Sequence, residues 1–459
     1  MSSDPSLLAN HLRRYGVQPA AAIRRALGLT QPTFSRALAR TDGLIRIGRA
    51  RAARYGLSRS VANRGSHWPV YRLDARGAPR RVGLLHAVHV DCWWFEPSKR
   101  ACRWLHGASS DGLFRGLPWF LADLRPQGFM GRAFGRRHGV DLGLPNDASR
   151  WTDDDVLLAL LSRGEDLPGD FIVGEAALER VQRLRLAAPD AISRRARAKR
   201  YGELAAAAVA GELVGSSAGG EQPKFGATIA DGNRSVRHVL VKFSDMVASA
   251  AGRRWADLLV CEHVAGEILR HARIASARSE IVDSGGRRCL EVSRFDRVGA
   301  HGRRGFVSLA ALDANEYGMH DDWRHAADRL ERDGWIGAAG AQSLRTLRFF
   351  GQLIGNTDQH FGNVGFEFGE VRPFRLAPAY DMLPMLYRPA AAGEIVARRL
   401  EPELPPPEAT AAWERGAALA LVFWRRVAKD ARISRDFRTI ALQNATSVAR
   451  VRSTHRRGR

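Results

Sequence analysis

The chain is poor in lysine, in paired cysteine and in long apolar runs, and each shortage excludes a class of protein. Only five of its 71 basic residues are lysine, so arginine carries the net charge of +23. The four cysteines lack CxxC spacing, which argues against a zinc cage and a disulfide framework. No apolar run approaches the roughly 20 residues of a membrane span, and no signal-peptide pattern opens the chain. We expect a cytoplasmic protein that does not contact a membrane.

The chain contains enough apolar residues to form several hydrophobic cores. The chain has 459 residues, of which 45% are hydrophobic, and this length predicts two to four folded units. The net charge favours a polyanionic partner, although part of it follows from the general preference for arginine. Where lysine is retained against that preference, as at Lys224 and Lys242, its compact ammonium is expected to matter.

The first sixty residues combine eleven arginines with the signals of three short helices and two strands. Apolar side chains recur at helical spacing near the start: Leu8, Leu12 and Tyr15. Pro19 is suited to open a second helix, and Thr30 to cap a third. Residues 44–47 and 53–57 read as strands around an arginine-bearing turn. This order is typical of a winged helix-turn-helix that binds DNA.

The third of these helices would lie in the major groove of DNA. Its outward face, and the wing that follows, supply the candidate DNA contacts Gln31, Thr33, Ser35, Arg36, Arg40, Arg49 and Arg51. Proteins of this type often bind paired half-sites, which favours a homodimer. The alternative is a small helical protein-interaction domain with a solvated basic face.

Residues 67–145 are rich in tryptophan and glycine, and their alternating apolar stretches predict several short strands. We expect an accessory subdomain without chemistry of its own. The acidic run Asp153, Asp154 and Asp155 follows Thr152, and we interpret it as the first turn of a helix, where carboxylates are favourable, rather than as a metal site.

A glycine-rich loop, SSAGGEQPK, leads into two predicted strands separated by a turn. Such a loop lets backbone N–H groups approach phosphates, and it is not the GxxxxGK[ST] pattern of a P-loop. The second strand carries Lys242, which suits a lysine that grips nucleotide phosphates. The helix that follows carries three acidic candidates to pair with this lysine: Asp257, Glu262 and Glu267. The candidate ATP contacts in and after the loop are Ser217, Gly219, Gly220 and Lys224.

The sequence GNTDQHFGNVGF, followed by LAPAYDMLP, is the richest in chemistry. Asp358 precedes Asn363 by five residues, as in kinase catalytic loops, and Asp381 follows a predicted hairpin. Asp358 would orient and deprotonate the attacking hydroxyl, while Asn363 and Asp381 would hold Mg²⁺. His360 is a further candidate ATP contact, for which a structural hydrogen bond is the competing interpretation. A polar loop of Asn and Asp turns is the competing interpretation of the motif as a whole.

A strand over 288–297 is predicted to run into the connection between two lobes, where Ser293 and Phe295 would lie near adenine. With SSAGGEQPKF, HVLVKF, RFDR, NTDQHFGN and PAYDMLP, the chain resembles the HipA family of serine/threonine kinases, which are toxins of bacterial toxin–antitoxin systems. The resemblance covers residues 210–385 and extends to the subdomain that starts near residue 67. It implies ATP and Mg²⁺ as cofactors and assigns the roles above to Lys242, Asp358, Asn363 and Asp381.

The same resemblance implies autophosphorylation of the glycine-rich loop at Ser217, with Ser216 as its neighbouring candidate. A phosphate there would add charge and inhibit the enzyme. The implied substrate is a translation component such as an aminoacyl-tRNA synthetase. An antitoxin is the implied partner, but a DNA-binding domain fused in front, as in the YjjJ-like branch of the family, would allow the protein to regulate its own gene without one.

The sequence therefore predicts an α+β protein in four parts. These are a winged helix-turn-helix (1–60), a small β-rich HipA N-terminal-like subdomain (67–145), a bilobal kinase-like domain (150–445) and a basic tail (446–459). Its N-lobe covers about 150–297, and its mostly helical C-lobe covers about 298–445. Three functions compete: a protein kinase, a transcription regulator that senses nucleotide, and a kinase for sugars or aminoglycosides.

Overall fold

A computed structural model describes residues 5–99, 102, 105, 111–187, 189–210, 222–232 and 235–457. The four loop residues predicted to contact or receive phosphate, Ser216, Ser217, Gly219 and Gly220, lie outside these ranges. Within them, no helix has both the length and the apolar character needed to cross a bilayer.

Helices and strands alternate along the chain. The helices are α1 (Pro5–Tyr15), α2 (Ala20–Leu27), α3 (Gln31–Arg40), α4 (Gly128–Leu142), α5 (Asp153–Arg163), α6 (Glu175–Leu186), α7 (Arg197–Ala210), α8 (Ala250–His271), α9 (Leu309–Glu316), α10 (Trp323–Arg332), α11 (Ala338–Leu353), α12 (Thr410–Lys429) and α13 (Arg435–Arg457). The strands are β1 (Gln18–Pro19), β2 (Leu44–Ile47), β3 (Arg54–Leu57), β4 (His67–Leu73), β5 (Pro79–His89), β6 (Cys92–Pro97), β7 (Leu113–Arg115), β8 (Phe171–Val173), β9 (Ile192–Ser193), β10 (Lys224–Gly232), β11 (Ser235–Phe243), β12 (Ser279–Ser284), β13 (Arg287–Ser293), β14 (Arg297–Val298), β15 (Gly302–Arg303), β16 (Phe306–Ser308), β17 (Gly365–Glu367) and β18 (Arg375–Leu376).

The N-terminal part has the predicted order of elements: α1–α3 are followed by the antiparallel pair β2–β3, with β1 on the other edge of β3. Thr30 caps α3, since its hydroxyl accepts from the Thr33 N–H at 3.4 Å. Leu8 and Leu12 are buried as their spacing predicts, but Tyr15 is 54% exposed. The Tyr15 ring lies instead on the surface against His11 and the guanidinium of Arg14.

The middle subdomain is built on the sheet β7-β6-β5-β4-β8. Because β8 pairs with β4, this sheet includes residues well beyond the predicted boundary at 145. Helix α5 starts with a capping box: the Thr152 hydroxyl accepts from the Asp155 N–H, and the Asp155 carboxylate accepts from the Thr152 N–H. The acidic run is a helix start, as predicted.

The two lobes that follow differ in composition. The N-lobe is the sheet β12-β13-β11-β10-β9, packed against α7 and α8. The C-lobe contains α9–α13 and the small sheet β16-β17-β18. The predicted boundary at 445 falls inside α13, whose residue Val448 is buried in the core.

Ion pairs join the middle subdomain to its neighbours. Arg59 donates to both carboxylate oxygens of Asp154 at 2.6 and 2.7 Å, which attaches the segment after β3 to α5. On the other side, Asp296 accepts from Arg294, from Arg297 and from the Gly169 N–H, at 2.6–3.1 Å. The RFDR sequence therefore fixes the loop before β8 onto the segment that follows β13.

Candidate active site

Three charged side chains meet between the lobes. Lys242 on β11 donates to both carboxylate oxygens of Glu262 on α8, at 2.6 and 2.8 Å, and it also contacts Asp381. The Asp381 N–H in turn donates to Glu262 at 3.3 Å. Lys242 and Glu262 are 4% and 7% exposed, so these ion pairs are shielded from water. We call this cluster the lysine triad.

Burial and charge act in opposite directions on the triad. Burial disfavours the charged lysine, but the carboxylates of Asp381 and Glu262 outweigh it and raise the pKa of Lys242. Burial raises the pKa of Glu262, and Lys242 opposes this shift. For Asp381 the outcome is reversed: burial raises its pKa, but Lys242 and Lys224 lower it below its ordinary value. Lys242 is therefore held as a cation, with Asp381 as an anion beside it.

The backbone at Asp381 adopts an uncommon conformation. Its φ is +55°, in the left-handed region that non-glycine residues rarely occupy. The conformation is fixed from both sides, because the Asp381 N–H donates to Glu262 and its carbonyl accepts from the Asn356 side chain at 3.2 Å. Uncommon backbone of this kind persists where the surroundings determine it, often at functional sites.

Asn356 connects the triad to the loop that carries Asp358. Its amide nitrogen donates to the Asp381 carbonyl, and its Oδ1 accepts from the Asp358 N–H at 3.0 Å. Asn363 closes the loop, since its Nδ2 donates to the Asp358 carbonyl at 2.7 Å. The structure thus brings Asp358, Asn363 and Asp381 together around one buried asparagine, which is 5% exposed. We call residues 356–363 the catalytic loop.

The catalytic loop separates two cavities. Asp358 and Asn356 line one of about 620 Å³, together with Arg348 and Arg399. Asn363 and Asp381 line another of about 820 Å³, which extends to Lys224 and to α4. His360 lines both cavities. Its Nδ1 accepts from the Gly362 N–H at 3.0 Å. His360 therefore makes a structural hydrogen bond, which was the alternative interpretation to an ATP contact.

The oxygen donors of the larger cavity fit a magnesium ion. Because the Nδ2 of Asn363 is used by the Asp358 carbonyl, its Oδ1 is the atom left for a ligand. The Asp381 carboxylate adds a charged oxygen. Mg²⁺ is usually held by one or two such groups, with phosphates and water supplying the remaining ligands. Lys242 and Lys224 are the cations beside this pair that would bind phosphate oxygens.

Of the remaining predicted ATP contacts, Lys224 and Phe295 lie near the lysine triad and Ser293 does not. Lys224 pairs with Lys242 across β10 and β11 and lines the larger cavity. Phe295 stacks on Tyr380, the neighbour of Asp381, with ring centroids 6.0 Å apart. Ser293 pairs with Val239, and its side chain is on the sheet face opposite Lys242. Its hydroxyl accepts from Arg237 at 3.1 Å, so the structure does not bring this side chain to the lysine triad.

The predicted DNA-contacting side chains lie on the surface of the N-terminal part. Gln31, Ser35, Arg36, Arg40 and Arg49 are exposed, and Thr33 is half-buried. Gln31 accepts from Arg24 at 2.8 Å, which links α3 to α2. The side chain of Arg51 is outside the described set.

Sequence reasoning did not single out three residues of the site. Glu262 was one of three acidic candidates on α8, whereas Asp257 accepts from Ser434 and Glu267 from Arg426. Asn356 was read only as part of a motif, although an asparagine two residues before Asp358 is a signal for an Asx turn. Tyr380 donates to the Gly362 carbonyl at 2.9 Å and thereby ties the catalytic loop to Asp381.

Comparisons with known proteins agree with this architecture. Residues 64–182 match the family model described as the YjjJ-like toxin, middle domain, and residues 216–450 match the HipA-like C-terminal domain. The chain is 38% identical over 440 residues to Toxin YjjJ of Escherichia coli (strain K12), covering 95% of this chain and 96% of that protein.

Solved structures also resemble the fold. A HipA chain from the Shewanella oneidensis MR-1 HipA, HipB and operator DNA complex aligns with a TM-score of 0.51 and 16% identity, covering 84% of this chain and 97% of that one. The Helicobacter pylori proinflammatory kinase CtkA aligns with a TM-score of 0.34 and 12% identity, over 53% of this chain and 93% of its own. The HipA-like family model and the HipA chain confirm the predicted bilobal, HipA-like α+β fold.

Proposed function

Since the chain belongs to the family of YjjJ-like toxins, with a HipA-like C-terminal domain, we propose that it is an ATP- and Mg²⁺-dependent serine/threonine protein kinase. The observation that carries the proposal is the linkage of the lysine triad to Asp358 through Asn356. This linkage holds a buried cation, two oxygen donors for a metal and a half-exposed carboxylate in one fixed unit. Phosphoryl transfer requires mainly this kind of positioning and charge neutralisation.

Each residue has a separate part in the proposed reaction. When bound, ATP would supply the phosphoryl group and Mg²⁺ would neutralise part of its charge. Asn363 and Asp381 would hold the metal, while Lys242, oriented by Glu262, would bind phosphate oxygens. Asp358 accepts the proton of the attacking hydroxyl, for which its side chain is suitably placed, being 47% exposed and lining the smaller cavity. The hydroxyl would therefore approach from the smaller cavity and the nucleotide from the larger.

The proposal is tested by transfer of label from [γ-³²P]ATP in the presence of Mg²⁺. Wild type should label itself and a protein substrate. Asp358→Asn, which keeps the shape of the side chain, should lower the rate by about 10²–10⁴-fold, the usual contribution of a general base. Asp321→Asn is the matched control, because Asp321 lines the same cavity and pairs with Arg329. Equal rates in wild type and Asp358→Asn would contradict the assignment.

The glycine-rich loop is the proposed site of autophosphorylation. Ser217, with Ser216 as the neighbouring candidate, would receive a phosphate, which adds negative charge to the loop. Mass spectrometry of labelled wild type should place the phosphate on one of these serines. Ser217→Ala and Ser216→Ala, made separately, should show which of them accepts it. Labelling that persists in the double variant would exclude the loop.

The proposed protein substrate is a component of translation, with an aminoacyl-tRNA synthetase as the first candidate. Phosphoproteomics of cells that express wild type or Asp358→Asn identifies it, because a true substrate loses phosphate only in the variant. Identical phosphosites in both would contradict a protein kinase. Transfer to a sugar or an antibiotic would then support a small-molecule kinase.

We also propose that residues 1–60 bind DNA and that the protein regulates its own gene. The support is the exposed face of α3 and the arginine-rich β2–β3 turn. Gel-shift assays on the upstream DNA should show binding that Arg36→Ala and Arg40→Ala weaken. If binding depends on ATP while no phosphate transfer occurs, the alternative function, a nucleotide-sensing regulator, is favoured. A separate antitoxin would appear as a protein that co-purifies with the chain.

A further inference from the structure

A third cavity, lined by charged side chains, lies away from the lysine triad, between the middle subdomain and the C-lobe. Its volume is about 420 Å³, and its walls come from the end of β4, the segment between β15 and β16, and the loop that joins β17 to β18. The same β17–β18 hairpin leads from Asn363 to Asp381. The cavity is therefore at the far end of the element whose other end carries the candidate metal ligands.

Two buried arginines line this cavity, each with one nitrogen that has no hydrogen-bond partner in the described part of the chain. Arg72 is 8% exposed. Its Nε donates to Asp170 at 2.8 Å and its Nη2 to the Phe368 carbonyl at 2.5 Å, which leaves Nη1. Arg303 is also 8% exposed, and its Nη2 contacts the Glu165 carbonyl, which again leaves Nη1.

Packing prevents the Arg72 guanidinium from rotating into solvent. The guanidinium of Arg72 is 5.4 and 5.3 Å from the ring centroids of Phe171 and Phe368. Gly305 packs directly on it, since a Cβ there would come within 2.6 Å of the Arg72 Nη2. A buried donor without a partner is destabilising, and more so when it is charged, so two of them at one cavity point to a ligand.

The surroundings of Arg303 favour an anion. Burial, followed by the charge of Arg297, lowers the pKa of Arg303 to about 9. A bound anion would offset both effects. One acceptor at the same cavity is also unpartnered: the Oδ1 of Asp170, whose pKa burial raises. A ligand that fits must therefore accept from two guanidinium groups and offer a hydroxyl to a carboxylate.

We propose that this cavity binds a small phosphate-bearing molecule, with the phosphate oxygens on the Nη1 atoms of Arg72 and Arg303 and a hydroxyl on Asp170. Arginine is well suited to phosphate, since its fixed fork gives charge-assisted hydrogen bonds. The hydroxyl belongs either to the phosphate itself, as in inorganic phosphate, or to the carbon skeleton beside it, as in a phosphorylated polyol. Both share the phosphate chemistry, and the two sources are compared in the test.

Hydrogen exchange of the full chain, followed by mass spectrometry, locates the ligand. Inorganic phosphate and glycerol 3-phosphate are the probes, with acetate as the comparison. At about ten times the dissociation constant, exchange that requires opening of the cavity slows about tenfold in peptides covering 72–80, 303–306 and 367–375. The probe that saturates at the lower concentration identifies the source of the phosphate.

Arg72→Lys and Arg303→Lys should each remove most of this protection, because lysine keeps the charge but not Nη1. Arg183→Lys, on the exposed face of α6, should leave the protection unchanged. Thermal unfolding without phosphate reports whether each variant is folded. The proposal is overturned if protection is confined to 356–363, if acetate protects as well as phosphate, or if folded lysine variants are protected like wild type.

Discussion

At the scale of single residues, the candidate active site depends on which carboxylate holds Lys242. Three acidic side chains on α8 were candidates, and only Glu262 contacts the lysine. Asp257 instead fixes the start of α13 through Ser434, and Glu267 pairs with Arg426 of α12. The three acids on one helix therefore have different partners: one in the triad, one beside α13 and one on α12.

Replacement of Glu262 by Gln should lower the rate of phosphoryl transfer. Lys242 would then be oriented by Asp381 alone, and misplacement of about 1 Å can cost roughly 10²-fold. The matched control is Glu267→Gln, one and a half turns further along α8, whose rate should stay at the wild-type value. The measurement is the steady-state transfer rate of both purified variants. Equal losses of rate would show that the effect comes from changing α8 in general and not from the contact between Glu262 and Lys242.

At the scale of elements, the Gln359 side chain helps to hold the catalytic loop against α11. Gln359 exchanges hydrogen bonds with Arg348 of α11, with the Gln359 Nε2 on the Arg348 carbonyl at 3.0 Å. This is possible because residue 351 is glycine: a Cβ there would lie 2.2 Å from the Gln359 Nε2. The neighbour of Asp358 is thus positioned by the lack of a side chain on the helix behind it.

Gly351→Ala should therefore displace Gln359, destabilise the fold by about 1–3 kcal/mol as overpacking does, and reduce phosphoryl transfer. The double variant Gly351→Ala with Gln359→Ala removes the clash and should recover part of the stability. Urea unfolding of the two single variants and the double variant gives the coupling energy. Strict additivity would mean that the two residues do not compete for space.

The capping box of α5 gives a second prediction about an element. Thr152→Ala should lower the free energy of unfolding by about 1 kcal/mol, because the Asp155 N–H loses its acceptor at a helix N-terminus. Thr446→Ala is the control, since Thr446 is exposed inside α13 and alanine is a better helix former. In urea unfolding, the change in unfolding free energy relative to wild type should therefore have opposite signs in the two variants. A stable Thr152→Ala variant would show that the cap contributes little here.

At the scale of the whole molecule, the parts are joined by ion pairs at their boundaries. Asp296 is 7% exposed and connects the two arginines of RFDR to the loop before β8. Although burial opposes it, the charges of Arg294 and Arg297 hold the pKa of Asp296 well below its usual value. The carboxylate therefore stabilises the folded state at neutral pH, by joining the loop before β8 to the segment that follows β13.

Asp296→Asn should destabilise the protein by about 3 kcal/mol at pH 7, since it leaves the buried Arg294 and Arg297 with Asp166 as their one shared carboxylate in the described part of the chain. The folded pKa is below the unfolded one, so this stabilisation is complete above about pH 4 and declines as the pH falls further. The difference between wild type and variant should narrow below that pH in denaturant unfolding. Asp283→Asn, at an exposed pair with Arg288, should cost no more than about 1 kcal/mol at any pH.

Much of the architecture could be predicted because its signals are local. Thr30 and Thr152 cap helices in the structure as their sequence context indicates. The hairpin predicted before Asp381 is present, but its second strand is short: Pro373 has no N–H for a strand ladder, and β18 begins only at Arg375. The reach of the middle sheet to β8 could not be predicted, since the pairing of Val173 with Val70 depends on contacts far apart in sequence.

The candidate site also has a part that could be predicted from local sequence and a part that could not. The five-residue step from Asp358 to Asn363 and the later Asp381 were visible as a motif, and the structure brings them together. The sequence could not distinguish Glu262 from its neighbours on α8, because their partners Ser434 and Arg426 lie more than 150 residues away. The predicted adenine contact of Ser293 stays a prediction, and strand alternation places its side chain on the sheet face opposite Lys242.

The placement of the catalytic loop between two cavities has a kinetic consequence. If the phosphate donor and the acceptor hydroxyl enter from different sides of residues 356–363, neither obstructs the path of the other. Substrates would then add in random order, and ADP could leave while the phosphorylated product is still bound. Double-reciprocal plots should intersect to the left of the axis, and ADP should inhibit competitively against ATP but not against the acceptor.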